Sequence, residues 1–430
     1  MTHNLARQPI PVVVQQHAEE SAMLRHVRSV LVRAPHVKLS HLRRLDDRIA
    51  AHLDGLAVAG RYGTGLCTAA LELAGAGEVF ALAVRVIDER DDKAIQRLVT
   101  LAAALPDARR GLLSAFGWVS ASLLQGLVHP LLAAADAPAR ELAVGACRLH
   151  RADPGPALQA ALDDPAPLVR AAAWRAAGEL GRTDLLDRAL ASLADPDDDV
   201  AFQAAACALL LGNGDAALDA LEALGQREGP LRERAQELLL VAAGFQRARD
   251  ILRRQAKAAA PKGAHRRRLI RACGLAGDIR FVPWLVEAMQ DDVFARIAGE
   301  SFSLITGADL AALDLERKPP EHVPGGPSDD PADDDVAMDP DDSLPWPDRE
   351  RVQRWWTEHA DGMPANARCF MGRPPTPGHC ADILREGLQR QRILAAQLLC
   401  LRTPGTRLFP VCAPSWRQQR MLAGQVTFVH

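Results

Sequence analysis

Ten basic residues crowd one stretch of the sequence: Arg247, Arg249, Arg253, Arg254, Lys257, Lys262, Arg266, Arg267, Arg268 and Arg271, opposed within it only by Asp250. Like charges at this density repel, so something must offset them. Three partners have the right chemistry. Nucleic-acid phosphate is one, since arginine clusters bind it well. An acidic protein is a second, and the chain's own aspartate-rich stretch is the third. Interleaved aromatics, which single-strand binders use for stacking, are nearly absent; Phe245 is the nearest. Arg253, Arg254, Arg266, Arg267 and Arg268 are therefore candidate partner-binding residues. The adjacent pair Trp355-Trp356 joins them, as aromatics that dock the C-terminal segment or anchor a partner.

Other groupings carry less chemistry. The aspartates Asp329-Asp330, Asp333-Asp334-Asp335, Asp339 and Asp341-Asp342 lack the sixth-position glycine and twelfth-position glutamate of a calcium loop, and read as a solvated loop. Cys369 with His379-Cys380 matches no zinc spacing. Gly60-Arg-Tyr-Gly-Thr-Gly65 ends without the Lys-Ser/Thr of a phosphate loop and reads as a turn before a helix near Leu66. No nucleophile elbow or dinucleotide fingerprint is present. The expectation is no catalytic residue, no cofactor and no metal.

These residues must be held by helices. Of 430 residues, 48% are hydrophobic and only 4% aromatic, and alanine with leucine fills about a third of the chain. A β-sandwich is disfavoured. Net charge is −3, which exerts no global pull on nucleic acid or anionic lipid. Five of the 51 basic residues are lysine, a bias that looks like a GC-rich bacterial genome. The eight cysteines contain no CxxC, and Cys147, Cys207 and Cys273 read as small buried hydrophobes in alanine-rich helices. With no secretory leader and no apolar membrane-length run, the expected location is the cytoplasm.

An internal repeat dominates. Glycines close apolar helical stretches at Leu180-Gly181, Leu211-Gly212, Ala243-Gly244, Ala276-Gly277 and Thr306-Gly307, at intervals of 31, 32, 33 and 30 residues. Each sits where a helix end needs a left-handed backbone. Asp164-Pro165 and Asp195-Pro196 keep the same phase and turn one helix into the next. One such pair cannot bury its own apolar face, whereas stacked pairs build a continuous core. The pattern resembles HEAT-type repeats of the short class. About five units span Pro156 to Asp309. Two degenerate ones precede them, over 78–109 and 111–150, where Gly111, Gly117 and Gly126 interrupt the helices. In the N-terminal part, Ser40 caps a helix over His41–Val58.

The expected fold class is all-α: an α-solenoid of short, about 31-residue, HEAT-like helix pairs with a small C-terminal α(+β) segment. The boundaries expected are 1–76 for an N-terminal helical cap, 77–316 for the solenoid, 317–348 for an acidic Pro/Asp-rich linker and 349–430 for the C-terminal segment. That last segment contains helices over Arg349–His359 and Asp382–Leu401, and short strands at Leu408–Val411 and Gln425–Val429.

Several landmarks together resemble one proteobacterial family of HEAT-like repeat proteins: His17-Ala-Glu-Glu20, Arg33-Ala-Pro-His36, Leu45-Asp-Asp-Arg48, Ala51-His-Leu-Asp-Gly-Leu56, Gly299-Glu-Ser-Phe-Ser-Leu-Ile-Thr-Gly307, Leu344-Pro-Trp-Pro-Asp348, Trp355-Trp356, Gln389-Arg-Gln-Arg392 and Ala413-Pro-Ser-Trp-Arg-Gln418. The resemblance covers nearly the whole chain. Members are often found near type VI secretion effector and spike genes, which implies a protein-binding accessory or adaptor role and brings no catalytic residue with it. Cys369 departs from the pattern, where an aromatic is expected, so no thiol-dependent role follows. The resemblance to HEAT-like DNA glycosylases, which use aromatics and carboxylates on the concave face, implies a second reading. In it, the stretch 247–271 binds nucleic acid and Trp174 or Trp284 meets a base; core packing is the competing role for both tryptophans.

Overall fold

In the computed structural model the chain is described over residues 8–257, 263–321, 323 and 339–424. Most of the expected acidic linker, including Asp329, Asp330 and Asp333 to Asp335, lies outside the described residues, as do Lys262 and the expected strand at Gln425–Val429. The fold is all-α and of α-solenoid type, with no strand among the described residues. No helix among them is long and apolar enough to cross a membrane.

The chain forms two compact units, and the first is discontinuous: Met1–Gly212 with Pro404–His430, and Asn213–Thr403. The expected C-terminal segment 349–430 is thus divided between them. Unit 1 opens with α1 (Pro11–Leu31), α2 (Leu39–Val58), α3 (Arg61–Ala69), α4 (Ala76–Asp88), α5 (Asp92–Ala104) and α6 (Pro106–Trp118). It continues with α7 (Val128–Leu132), α8 (Ala137–His150), α9 (Pro156–Leu162), α10 (Pro167–Leu180), α11 (Leu186–Ala191) and α12 (Asp198–Leu211). Unit 2 holds α13 (Asp215–Gln226), α14 (Arg232–Ala242), α15 (Phe245–Lys257), α16 (Gly263–Ala276), α17 (Val282–Ala288), α18 (Asp292–Thr306), α19 (Arg349–His359), α20 (Pro377–Glu386) and α21 (Gln389–Arg402). The last helix, α22 (Ser415–Ala423), returns to unit 1.

Within unit 1, α4, α6, α8, α10 and α12 pack in series; within unit 2, α14, α16 and α18 do the same. Chemistry at the helix ends sets their length. Asp197 accepts from the Asp199 and Val200 amides to start α12, and Pro167 starts α10. Gly181, Gly212, Gly277 and Gly307 end α10, α12, α16 and α18 in the left-handed region, with φ of 73°, 105°, 67° and 76°. The fifth expected cap fails. Gly244 is not left-handed, because α14 ends at Ala242 and its carbonyls take another donor. Buried Arg368 bonds the carbonyls of Val241, Leu240 (2.6 Å) and Ala243 (2.9 Å).

Arg368 belongs to an extended segment that runs across the helix ends of unit 2. The Cys369 amide donates to the Gly277 carbonyl at 2.8 Å, and the Met371 and Gly372 amides donate to Leu304 and Ile305 at 2.8 and 2.9 Å. Unit 1 has a counterpart after Pro404. Leu408 donates to the Glu179 carbonyl at 3.0 Å and accepts from Arg151 Nε at 2.8 Å. The strand expected at Leu408–Val411 is therefore absent: its backbone groups bond helix ends and one another rather than a second strand. The capping glycines leave room for these straps. A Cβ on Gly181 would lie 2.1 Å from the Gly405 oxygen, and one on Gly277 would lie 2.3 Å from the Cys369 oxygen.

Other boundaries shift for local reasons. Helix α2 begins at Leu39, where the His41 side chain accepts from the Lys38 amide, so Ser40 is not the cap. Helix α3 begins at Arg61, directly after Gly60, rather than near Leu66. Gly111 and Gly117 do not interrupt α6. They let it approach its neighbours, since a Cβ on Gly111 would meet the Ala76 oxygen at 2.5 Å. The helix expected over Asp382–Leu401 breaks at Gly387, and Gln391 reaches back to the Leu388 amide at 2.9 Å to start α21.

Candidate functional site

The basic stretch falls on α15 and α16, and each of its candidate arginines meets a carboxylate. Arg247 reaches Asp219 at 2.6 Å and Glu222 at 3.0 Å; Arg254 shares Glu222 at 2.7 Å. Arg268 lies 3.5 Å from Glu233, and Arg271 lies 2.9 Å from Glu237. Arg267 takes both oxygens of Asp341, one at 2.7 Å. Arg249 bonds Asp278 at 2.7 Å, with both side chains buried. Arg253 is the loosest, 59% exposed and 4.0 Å from Asp250. The acidic stretch supplies part of the neutralisation, through Asp341 on Arg267, and its Asp339 meets Arg296 of α18. Neighbouring helix pairs supply the carboxylates for Arg247, Arg249, Arg254, Arg266, Arg268 and Arg271.

Arg266 has a position in the repeat. It is the fourth residue of α16, as Arg140 is of α8 and Arg170 of α10. Each reaches forward to an aspartate at the next turn: Arg140 to Asp164 at 2.6 Å, Arg170 to Asp195 at 3.2 Å, and Arg266 to Asp291 at 3.3 Å. Arg140 and Arg170 also donate to carbonyls at the turn before their own helix, Ala134 and Ala135 for one, Asp164 and Pro165 for the other. The arginine clamps one pair to the next. The sequence spacing of 24 to 25 residues was the signal for it, visible only once the repeat frame is laid over the charges.

Of the tryptophans singled out in the sequence, Trp174, Trp355 and Trp356 pack within the chain, and Trp284 is half-buried on α17. Trp356 is buried, and Trp355 lies edge-on to Phe302 of α18 at 5.7 Å and stacks on His359 at 4.2 Å. Both dock α19 within unit 2. Trp174 is in the core of α10. Cys369 and Cys380 are buried thiols pushed up to about 11 by burial, and His379 turns its ring to the Phe370 carbonyl at 2.8 Å. Cys147, Cys207 and Cys273 are buried in helices, as their surroundings in the sequence imply.

Two cavities among the described residues bear on the site. In unit 2 a cleft of about 450 Å³ between α13, α14, α15 and α16 brings together Arg254, Arg267 and Arg268 with Glu222, Glu233 and Glu237. Burial raises the Glu237 pKa against the opposing pull of Arg271. The cleft's five arginines each meet a carboxylate of the chain, two of them outside the cleft lining: Glu228 for Arg232 and Asp341 for Arg267. In unit 1 a cavity of about 610 Å³ is lined by residues that sequence reasoning did not assign, among them Trp118, His150, Trp416, Arg417 and Arg420. The motif holding Trp416 and Arg417 is conspicuous in the sequence. Nothing in the helical period brings it beside Val119, whose carbonyl accepts from Arg417 at 3.1 Å.

No protein-family model matches the chain, and neither a curated protein nor a solved structure matches it.

Proposed function

We propose that the protein is a non-catalytic binding scaffold in the cytoplasm, an adaptor accessory to the handling of type VI secretion effectors. One observation carries the protein-binding part. Val12, Met23 and Val30 are 72%, 60% and 57% exposed along one face of α1, eleven and seven residues apart, a spacing that aligns them on a helix. With Gln16, Glu19 and His26 exposed between them on the same face, these side chains form a mixed polar and apolar surface suited to a protein partner. The type VI assignment rests on the sequence landmarks shared with the proteobacterial HEAT-like family. The pairing of Arg254, Arg266, Arg267 and Arg268 with carboxylates of the same chain weighs against the nucleic-acid reading, because phosphate would have to displace each partner.

Affinity capture from the source bacterium, with nuclease-treated controls, tests it. The expected result is co-recovery of a secretion spike or effector protein, lost in the Met23→Asp, Val30→Asp double variant and kept in Arg253→Ala. Nuclease-sensitive recovery of nucleic acid without a secretion component would overturn the reading.

A further inference from the structure

We propose that the cavity of unit 1 binds a small organic anion: a carboxylate or phosphate carried on an apolar body. The inference is independent of the scaffold reading. The volume of about 610 Å³ lies in the range that encloses a small molecule. One wall is apolar, with Leu53 of α2, Val84 of α4 and Leu123. The indoles of Trp118 and Trp416 meet edge to face there at 4.7 Å, and Phe80 backs Trp118 at 5.7 Å.

The polar wall is cationic and incomplete. Arg417 spends Nη2 on the Val119 carbonyl, while Nη1 is enclosed and has no hydrogen-bond partner. The charges that act on it are the cations Arg420 and Arg28, and Arg28 is itself held by Asp46 at 2.6 Å. The carboxylates of the cavity do not make up the difference. Asp88 is held by Arg85 at 3.0 Å, and Asp54 is exposed. Burial lowers the His150 pKa, and its Nε2 faces the Phe116 carbonyl at 2.6 Å. Elsewhere the chain sets a carboxylate against enclosed arginines such as Arg140, Arg148 and Arg249, while buried Arg368 is met by three backbone carbonyls. Arg417 lines the cavity with no carboxylate partner among the described residues, and a bound anion would supply one. A guanidinium and two indoles lining one cavity fit an anionic head and an apolar body.

Calorimetric titration and tryptophan fluorescence of the full chain test this with phenyl phosphate and 3-phenylpropionate, with inorganic phosphate and neutral 3-phenylpropanol for comparison. At least one aryl anion is expected to bind saturably at millimolar concentration or below, about tenfold more tightly than the alcohol, and the better of the two identifies the head group. Arg417→Gln is expected to weaken that binding about tenfold, with thermal melting as the check on folding. If Arg417→Gln does not fold, the exposed Arg420→Glu carries the test through a loss of affinity of at least about threefold. Absence of saturable binding by either aryl anion, equal binding of the alcohol, or unchanged affinity in the folded variants would overturn the proposal.

Discussion

Burial alone would make Glu179 hard to ionise, yet Arg148, Arg151 and Arg175 outweigh it and hold the carboxyl at about 2. Arg148 and Arg151 lie 3.1 and 2.7 Å away, on α8 and just beyond its end, so the cluster joins two consecutive pairs. Arg151 takes the left-handed conformation that glycine holds elsewhere, with φ 55°. That costs about 1 kcal/mol, and its bonds to Glu179 and the Leu408 carbonyl offset it. The sign of the pH dependence follows from the depressed pKa. The stabilisation is complete above the ordinary value of 4.5 and is lost as pH falls through 2. Urea titrations between pH 6 and pH 2 should show unit 1 weakening over that window. Glu179→Gln should cost about 3 kcal/mol at neutral pH, because three cations are left without their carboxylate, and should flatten the acid limb. A variant as stable as the parent, with the limb unchanged, would remove Glu179 from this role.

At the scale of elements, glycines and straps act together. Gly277→Ala should cost the left-handed penalty and also push the Cys369 carbonyl away, because the added carbon would lie 2.3 Å from it. Gly126→Ala, with φ 85° and open space around its Cβ, isolates the first term at about 1 kcal/mol. The expected difference is a further 1–2 kcal/mol, roughly, for Gly277→Ala, with faster amide exchange of Cys369 to Gly372. Equal costs with no change in exchange would mean that the strap contributes nothing. This pairing also marks what the sequence could disclose. The helix ends at Gly181, Gly212, Gly277 and Gly307 were legible, because glycine at a helix terminus answers a local backbone demand. So were the buried cysteines Cys147, Cys207 and Cys273. The straps were not, since an extended segment that bonds helix ends has no period of its own and its partners lie about 70 to 260 residues away. The carboxylate partners of the basic stretch were hidden for the same reason. A linear window shows Asp250 alone, while the carboxylates that matter sit a repeat away, at Asp291, or across a longer connection, at Asp341. Gly244 shows the limit of reasoning from the repeat alone, because a distant arginine replaced the cap.

At the scale of the molecule, unit 1 is built from both ends of the chain, with unit 2 inserted between them. Closing it requires Pro404 to Ala423 to return to helices more than 200 residues earlier, which is slow by the entropy of so long a loop. Asp46 is the fastener. It is fully buried, accepts from Arg28 at 2.6 Å and takes the Ser415 amide at 2.6 Å, while Arg28 also donates to the Cys412 and Ala413 carbonyls. One carboxylate thus ties α1, α2 and the start of α22. Asp46→Ala removes the acceptor and strands the guanidinium and the amide together, at a cost of about 3 kcal/mol. Because the return segment belongs to unit 1 alone, the damage should be confined to it. Amide exchange followed by mass spectrometry should show loss of protection in 411–418 and in α1 and α2, with 213–403 unchanged. The same variant should lose the anion affinity expected of Arg417, which stands two residues beyond Ser415 on the loosened helix. If exchange rises equally in both units, the discontinuous unit does not unfold separately, and Asp46 supports the whole chain rather than its closure.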